Sequence, residues 1–106
     1  LVLHQQKLKA MNNNNNFSTA KSIYEELLQC PEWGKRREEI LFRDNFQCRV
    51  CGSRNQLQVH HRQYHFLNSK GDFKKPWEYD DINLITLCGS CHERGHQIFN
   101  VPTFYI

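Results

Sequence analysis

The chain lacks a long apolar run. No stretch of its 106 residues is apolar enough to cross a bilayer. The opening "LVLHQQKLKA" has neither the apolar core nor the small-residue cleavage site of a signal peptide. Apolar material is scarce throughout: 39% of residues are hydrophobic, and mean hydropathy is −0.75. A chain this short and this polar supports one domain with a limited core, and such domains often add a metal or disulfides. No internal repeat is visible beyond a duplicated cysteine pair, and no element is long enough for a dedicated recognition helix. Charge of neither sign dominates. Lys and Arg number 14 against 11 Asp and Glu, a formal net charge of +3 and a pI of about 8.7. That balance permits a polyanionic partner without requiring one. Met11 is the only methionine, and residues 1–10 ahead of it read as an added or a read-through segment, with the sequence alone not deciding whether they are native.

What the chain does have is cysteine and histidine. Four of its five cysteines form two C-x-x-C pairs, "CRVC" (Cys48, Cys51) and "CGSC" (Cys88, Cys91). Each pair turns two sulfurs toward one point, and two pairs together make a closed tetrahedral zinc site. Without a secretion signal, metal-bound thiolates in a reducing, cytoplasmic setting are expected over disulfides, ordinary buried thiols or a redox pair. Cys30 reads as a helix-junction residue.

Along the chain, "NNNNN" predicts a flexible polar arm over 1–16, ahead of one domain over 17–106. Ser22 with Glu25 resembles a capping box before Ile23, Tyr24, Leu27 and Leu28 at helical spacing. Pro31 predicts a second helix start, with Trp33, Ile40 and Leu41 on one stripe and an end near Asn45. "LQVHH" alternates like a strand, residues 67–81 read as a long loop, "NLITLC" reads as a second strand, and Ser90 is the expected N-cap of a last helix.

Three of the six histidines fall within "LQVHHRQYH". Neighbouring strand residues face opposite ways, so His60 and His61 cannot readily hold one ion. One is expected to bind metal while the other addresses a different point, such as a water. His92 and His96, four apart on a helix, form a two-point clamp. His60 is the expected third ligand. His65 stands outside this set, as does His4.

These residues together resemble the HNH endonucleases. The pattern "VHH…NLITLC-x-x-CH-x-x-x-H", with "CPEWGKRREEILFRDNFQCRVCG" before it, is similar to the family's four-cysteine branch of bacteria and phages. The likeness spans about Tyr24 to His96. It implies an α+β fold: a small ββα-metal nuclease core with N-terminal helices and a structural zinc held by the four paired cysteines. It also implies roles residue by residue. His60, His92 and His96 would hold one catalytic divalent cation (Mg²⁺, Mn²⁺, Ni²⁺ or Zn²⁺). His61 would be the general base. Asn83 would tie the loop and help orient that base. Phosphodiester hydrolysis in DNA, double-stranded by expectation, would leave 5′-phosphate and 3′-hydroxyl ends. Arg62, Arg94, Lys74, Lys75 and Lys70 would grip the strand without reading sequence. The setting would be bacterial or phage cytoplasm, as a homodimer or within a larger phage or restriction assembly. Trp77 and Tyr79 are aromatic candidates for stacking on a base, and packing beneath the loop is expected ahead of that role. The alternative function is a zinc-ribbon nucleic-acid-binding module that does no chemistry.

Overall fold

Three short helices and two small sheets arise where apolar residues recur. A computed structural model describes residues 16–106. Helix α1 spans Asn16–Leu27 and α2 spans Pro31–Arg43. Strands β1 (Leu57–His61), β2 (Tyr64–Leu67) and β3 (Asp72–Phe73) follow. After two 3₁₀ turns, Pro76–Glu78 and Asp81–Asn83, come β4 (Leu84–Cys88), helix α3 (Gly89–Ile98) and β5 (Thr103–Tyr105). The class is α+β. The expected arm lies outside the described residues except for Asn16, which opens α1. No helix among the described residues is long and apolar enough to cross a membrane.

Strands β1 and β4 pair antiparallel, with Leu57 opposite Cys88 and His61 opposite Leu84. The second sheet runs β3-β2-β5; β2 is antiparallel to β3 and parallel to β5. Three buried clusters tie these pieces together. Ala20 and Tyr24 of α1 pack on Tyr64 and Phe73 of the second sheet. Trp33 and Ile40 of α2 pack on Tyr79 and Leu84. Cys48, Leu87, Cys88 and Cys91 form the third. Burying each large apolar side chain contributes about 1.5–3 kcal/mol, so a core this small gains much from any further cross-link.

Helix α2 begins at Pro31 as the sequence predicts and buries Trp33, Ile40 and Leu41. It ends at Arg43, because Asn45 and Phe46 both take left-handed backbone (φ 57 and 53). The Phe46 N–H returns to the Leu41 carbonyl at 2.8 Å, which turns the chain out of the helix into the first cysteine pair. Two expected caps are corrected. Ser22 lies inside α1 and donates to the Ser18 carbonyl, so it opens no capping box. Helix α3 is capped by Cys88, whose sulfur accepts the Cys91 N–H, and Ser90 is already helical.

The long loop is more ordered than its composition suggests. It holds β3 and both 3₁₀ turns, and Gly71 (φ 69) makes the β2–β3 turn that a β-carbon would strain. Tyr79 is 2% exposed, and its hydroxyl accepts the His65 N–H at 2.9 Å. Both Tyr79 and Trp77 therefore pack beneath the loop. Strand β5 is not foreseen from the sequence. The Tyr64 N–H donates to the Pro102 carbonyl, and Ile106 and Asn68 close the ladder beyond it.

Candidate metal centres

Two side-chain clusters have the geometry to hold a metal ion, and α3 contributes to both. The first is Cys48, Cys51, Cys88 and Cys91, whose sulfurs all lie within 4.8 Å of one another. None forms a disulfide. The first pair is shaped by a knuckle: the Gly52 N–H donates to the Cys48 carbonyl at 2.9 Å, and Gly52 itself sits at φ 80. Backbone N–H groups point at the sulfurs, Val50 to Cys48 and Cys91 to Cys88, each at 3.4 Å. Burial acts to raise the Cys48 thiol, but N–H groups of Cys51, Cys88 and Val50 outweigh it and lower it, whereas the neighbouring thiols, Cys88 first, push Cys91 up. Such N–H donors favour the thiolate, the form a metal binds. Four cysteines so placed are a metal-binding group, and four protein ligands would leave no position open. Cys30 lies apart, at the start of α2.

The second cluster is His60, His92 and His96, whose ligand nitrogens also lie within 4.8 Å of one another. Position i and i+4 on α3 put His92 and His96 side by side, Nε2 to Nε2 at 3.1 Å. His60 reaches them from β1, its ring centroid 5.0 Å from that of His92 and 5.4 Å from that of His96. Its buried Nδ1 has no hydrogen-bond partner among the described residues. Burial first, then the neighbouring imidazoles, push His60 down to about 3, and burial likewise lowers His92 and His96. All three are thereby neutral donors at ordinary pH. An unpartnered buried nitrogen among neutral imidazoles fits a divalent ion, and an all-imidazole set suits transition metals better than Mg²⁺. The cluster lines a cavity of about 400 Å³. Arg62 stands at its edge, with Ile85, Leu87 and Val101 as apolar wall.

His61 is elsewhere. Strand alternation turns it to the opposite face of β1, against α1 and α2. Its ring stacks on Trp33 at 4.9 Å and on Tyr64 at 5.7 Å. Tyr24 and Tyr79 meet it edge-on. It is 5% exposed, and its Nε2 lies 2.9 Å from the Pro76 carbonyl and 3.2 Å from the Tyr24 hydroxyl. Burial lowers it to about 4, against a smaller upward pull from the Pro76 carbonyl. It does not line the histidine cavity. His61, the expected base, thus lies on the face of β1 away from the His60 cluster, in an aromatic box that pins β1 to the loop. Replacing it should therefore act on stability. His61→Ala is expected to cost about 2–4 kcal/mol, from the cavity left and the orphaned carbonyl. His61→Phe should recover much of the packing. Urea unfolding of the three proteins reads this. An alanine variant as stable as wild type would show that the box contributes nothing to the fold.

The other predicted residues divide. The Asn83 carbonyl accepts the Arg62 N–H at 2.8 Å, so this residue does tie β1 to the loop, but by backbone. Arg94 is exposed on α3 and does not line the cavity. Lys74 lies over the Tyr79 ring at 5.4 Å and Lys75 over Trp77 at 6.0 Å, while Lys70 is exposed. His65 packs on Tyr79 and touches neither cluster. His4 lies outside the described residues.

Two residues carry no sequence signal of their place. Asp44, 1% exposed at its side chain, fastens α2, the first cysteine pair and β4. Phe99, just past the end of α3, lines the histidine cavity while 70% exposed. Phe99 sits in no motif, and Asp44, although inside the stretch before the first cysteine pair, is not a position to which the likeness gives a role. Comparison with family models, curated proteins and solved structures gives no match for this chain.

Proposed function

We propose that this chain is a metal-dependent endonuclease of the HNH kind, cutting DNA at a divalent cation held by His60, His92 and His96. The observation that carries this reading is the convergence of those three imidazoles, from a strand and a helix, on one cavity edged by Arg62. In it, β1, β4 and α3 form the ββα-metal core, and the four thiolates hold a structural zinc that keeps α3 against the strands. Zinc is the ion whose tetrahedral preference best matches four sulfurs.

When bound, the catalytic cation supplies Lewis-acid polarisation and a water of lowered pKa. The chain's own residues supply the rest. His60, His92 and His96 are neutral donors, kept so by burial. Arg62 places a guanidinium where a phosphate's negative charge would lie, a contact that positions the strand without reading sequence. Water would add to phosphorus and release a proton to solvent, the bond to the 3′ oxygen would break, and that oxygen would take up a proton from solvent, leaving 5′-phosphate and 3′-hydroxyl ends. The base role that the resemblance lends to His61 is not retained, since its ring faces the other side of the sheet.

That same placement favours a second reading, a zinc-bearing module that binds nucleic acid without cutting it. Plasmid nicking with Mg²⁺, Mn²⁺, Ni²⁺ or Zn²⁺ separates the two. Wild type should nick with at least one ion, His92→Ala should not, and His61→Ala should nick at temperatures where it stays folded. Purified protein should hold one tight zinc and a second, exchangeable ion. Equal nicking by wild type and His92→Ala would remove the activity from this site. DNA binding without nicking would leave the second reading standing.

A further inference from the structure

Phe99 stands where a nuclease reaching only for the backbone of a duplex would have no use for it. It follows the last turn of α3, held there by its N–H to the Gly95 carbonyl at 2.7 Å. Its backbone leaves the helix in extended conformation. Its ring is 70% exposed and lies on the wall of the histidine cavity. Apart from the histidines it is the only aromatic ring there among the described residues. Trp77 and Tyr79, where stacking would first be sought, are packed away under the loop. On the same cavity stand Arg62 and the apolar wall of Ile85, Leu87 and Val101.

These features sort by chemistry. Arg62 and a cation at the histidines attract a phosphodiester. An exposed ring and an aliphatic wall beside them attract something flat and apolar. In a duplex the bases are stacked inside, and what faces a protein near the phosphate is charged backbone and sugar. Apolar walls offer that surface nothing and cost it hydration. An unpaired strand presents phosphate and base face together, and bases stack on aromatic side chains with little regard to sequence.

We infer that the histidine cavity takes an unpaired DNA strand, with Phe99 as a stacking platform for a base next to the phosphate that Arg62 and the metal centre hold. This deepens the nuclease reading and rests on it for the cut, but the preference for an unpaired strand is a property of binding and is measured without cleavage. It stands against the expectation of a double-stranded partner, and the binding comparison below decides between them.

The test uses zinc-loaded full-length protein, a fluorescein-labelled 12-nucleotide single strand with a phosphorothioate backbone, and the corresponding 12-base-pair duplex. Fluorescence anisotropy at fixed salt gives both affinities. The single strand should bind about tenfold more tightly than the duplex. Phe99→Ala should weaken single-strand binding about tenfold, the low-to-middle range for one stacked base, and leave the duplex unchanged. Phe99→Trp should restore or exceed wild-type binding. Arg62→Ala should weaken both substrates alike, because both carry phosphates. Phe99 is solvent-exposed at a helix end, so these variants should melt with wild type, and a thermal scan checks it. Tighter binding of the duplex, or single-strand affinity indifferent to Phe99, would overturn the inference. Nicking with no Phe99 effect on binding would sink this inference alone. A Phe99-dependent single-strand preference, with neither plasmid nicking nor cleavage of an unmodified 12-nucleotide single strand under any of the four ions, would sink the nuclease reading alone.

Discussion

Cys88→Ser is expected to abolish the cooperative unfolding transition at room temperature, and chelation of wild type by excess EDTA should do the same. Cys88 ends β4, caps α3, receives the Cys91 N–H at 3.4 Å and lies 3.6 Å from the Cys51 sulfur. Its neighbours in the third cluster are two more ligands and Leu87, so the metal group is also a third of the core. Structural zinc contributes roughly 10–16 kcal/mol of apparent binding free energy in small zinc-dependent folds. A domain of this size is stable by only about 5–15 kcal/mol. Losing one thiolate of four takes away a large part of the first number, which is enough to exhaust the second. Circular dichroism during a thermal scan and zinc stoichiometry by emission spectroscopy measure both halves. Readdition of Zn²⁺ after EDTA should restore the wild-type transition, and should not restore that of Cys88→Ser. A serine variant melting within a few degrees of wild type would show the cysteines to be ordinary packing residues.

Asp44→Ala should destabilise the fold by about 3–5 kcal/mol, the usual range for uncoupling a buried charge network. The Asp44 carboxylate receives Arg43 through two nitrogens, each at 2.9 Å, Arg49 at 2.9 Å, and the Thr86 N–H at 3.0 Å. Arg43 also donates to the Leu84 carbonyl, and the Arg49 N–H to the Thr86 carbonyl. One side chain thus fixes the end of α2, the residue after Cys48 and the middle of β4. Alanine leaves the Thr86 N–H buried and unpaired, and its residue is 0% exposed. Burial works to raise the Asp44 carboxyl, but hydrogen bonds from Arg43, Thr86 and Arg49 outweigh it and hold it well below the usual carboxylate range. The sign of the pH effect follows. A depressed folded-state pKa means the unfolded chain takes up a proton first, so the stabilisation is present above about pH 4 and is lost as pH falls toward the folded value. Urea unfolding at pH 7, 4 and 3 should therefore show wild type losing stability on acidification, with Asp44→Asn weaker at pH 7 and less pH-dependent below 4. Parallel acid profiles for the two proteins would exclude Asp44 as the source.

Both candidate metal-binding clusters are legible in the amino-acid sequence because their signals are local or duplicated. Cys48 with Cys51, Cys88 with Cys91, and His92 with His96 are each fixed by a turn of known geometry. The pairing of β1 with β4 then brings His60 across to α3. The same alternation that freed His60 for the cavity sent His61 into the aromatic box. Which face holds solvent cannot be told from "VHH", since Trp33, Tyr64 and Tyr79 close over it from 28, 3 and 18 positions away. Asp44 is illegible for the same reason: its decisive partner, Thr86, is 42 residues distant. Strand β5 carries no alternation, because Phe104 and Tyr105 are both substantially exposed, and it is defined only by its parallel partner β2. Phe99 lies one residue past the last periodic position of α3, where an apolar residue reads as helix tail.

Helix α3 begins on a sulfur that belongs to one cluster and carries, within its ten residues, two imidazoles that belong to the other. On the proposed reading, loading would be ordered in time: a nascent chain short of zinc would have no fixed helix on which to present His92 and His96. Scarcity of the first ion would show as apparent weakness for the second, however abundant the second is, and a titration begun from fully stripped protein would record that dependence as a lag.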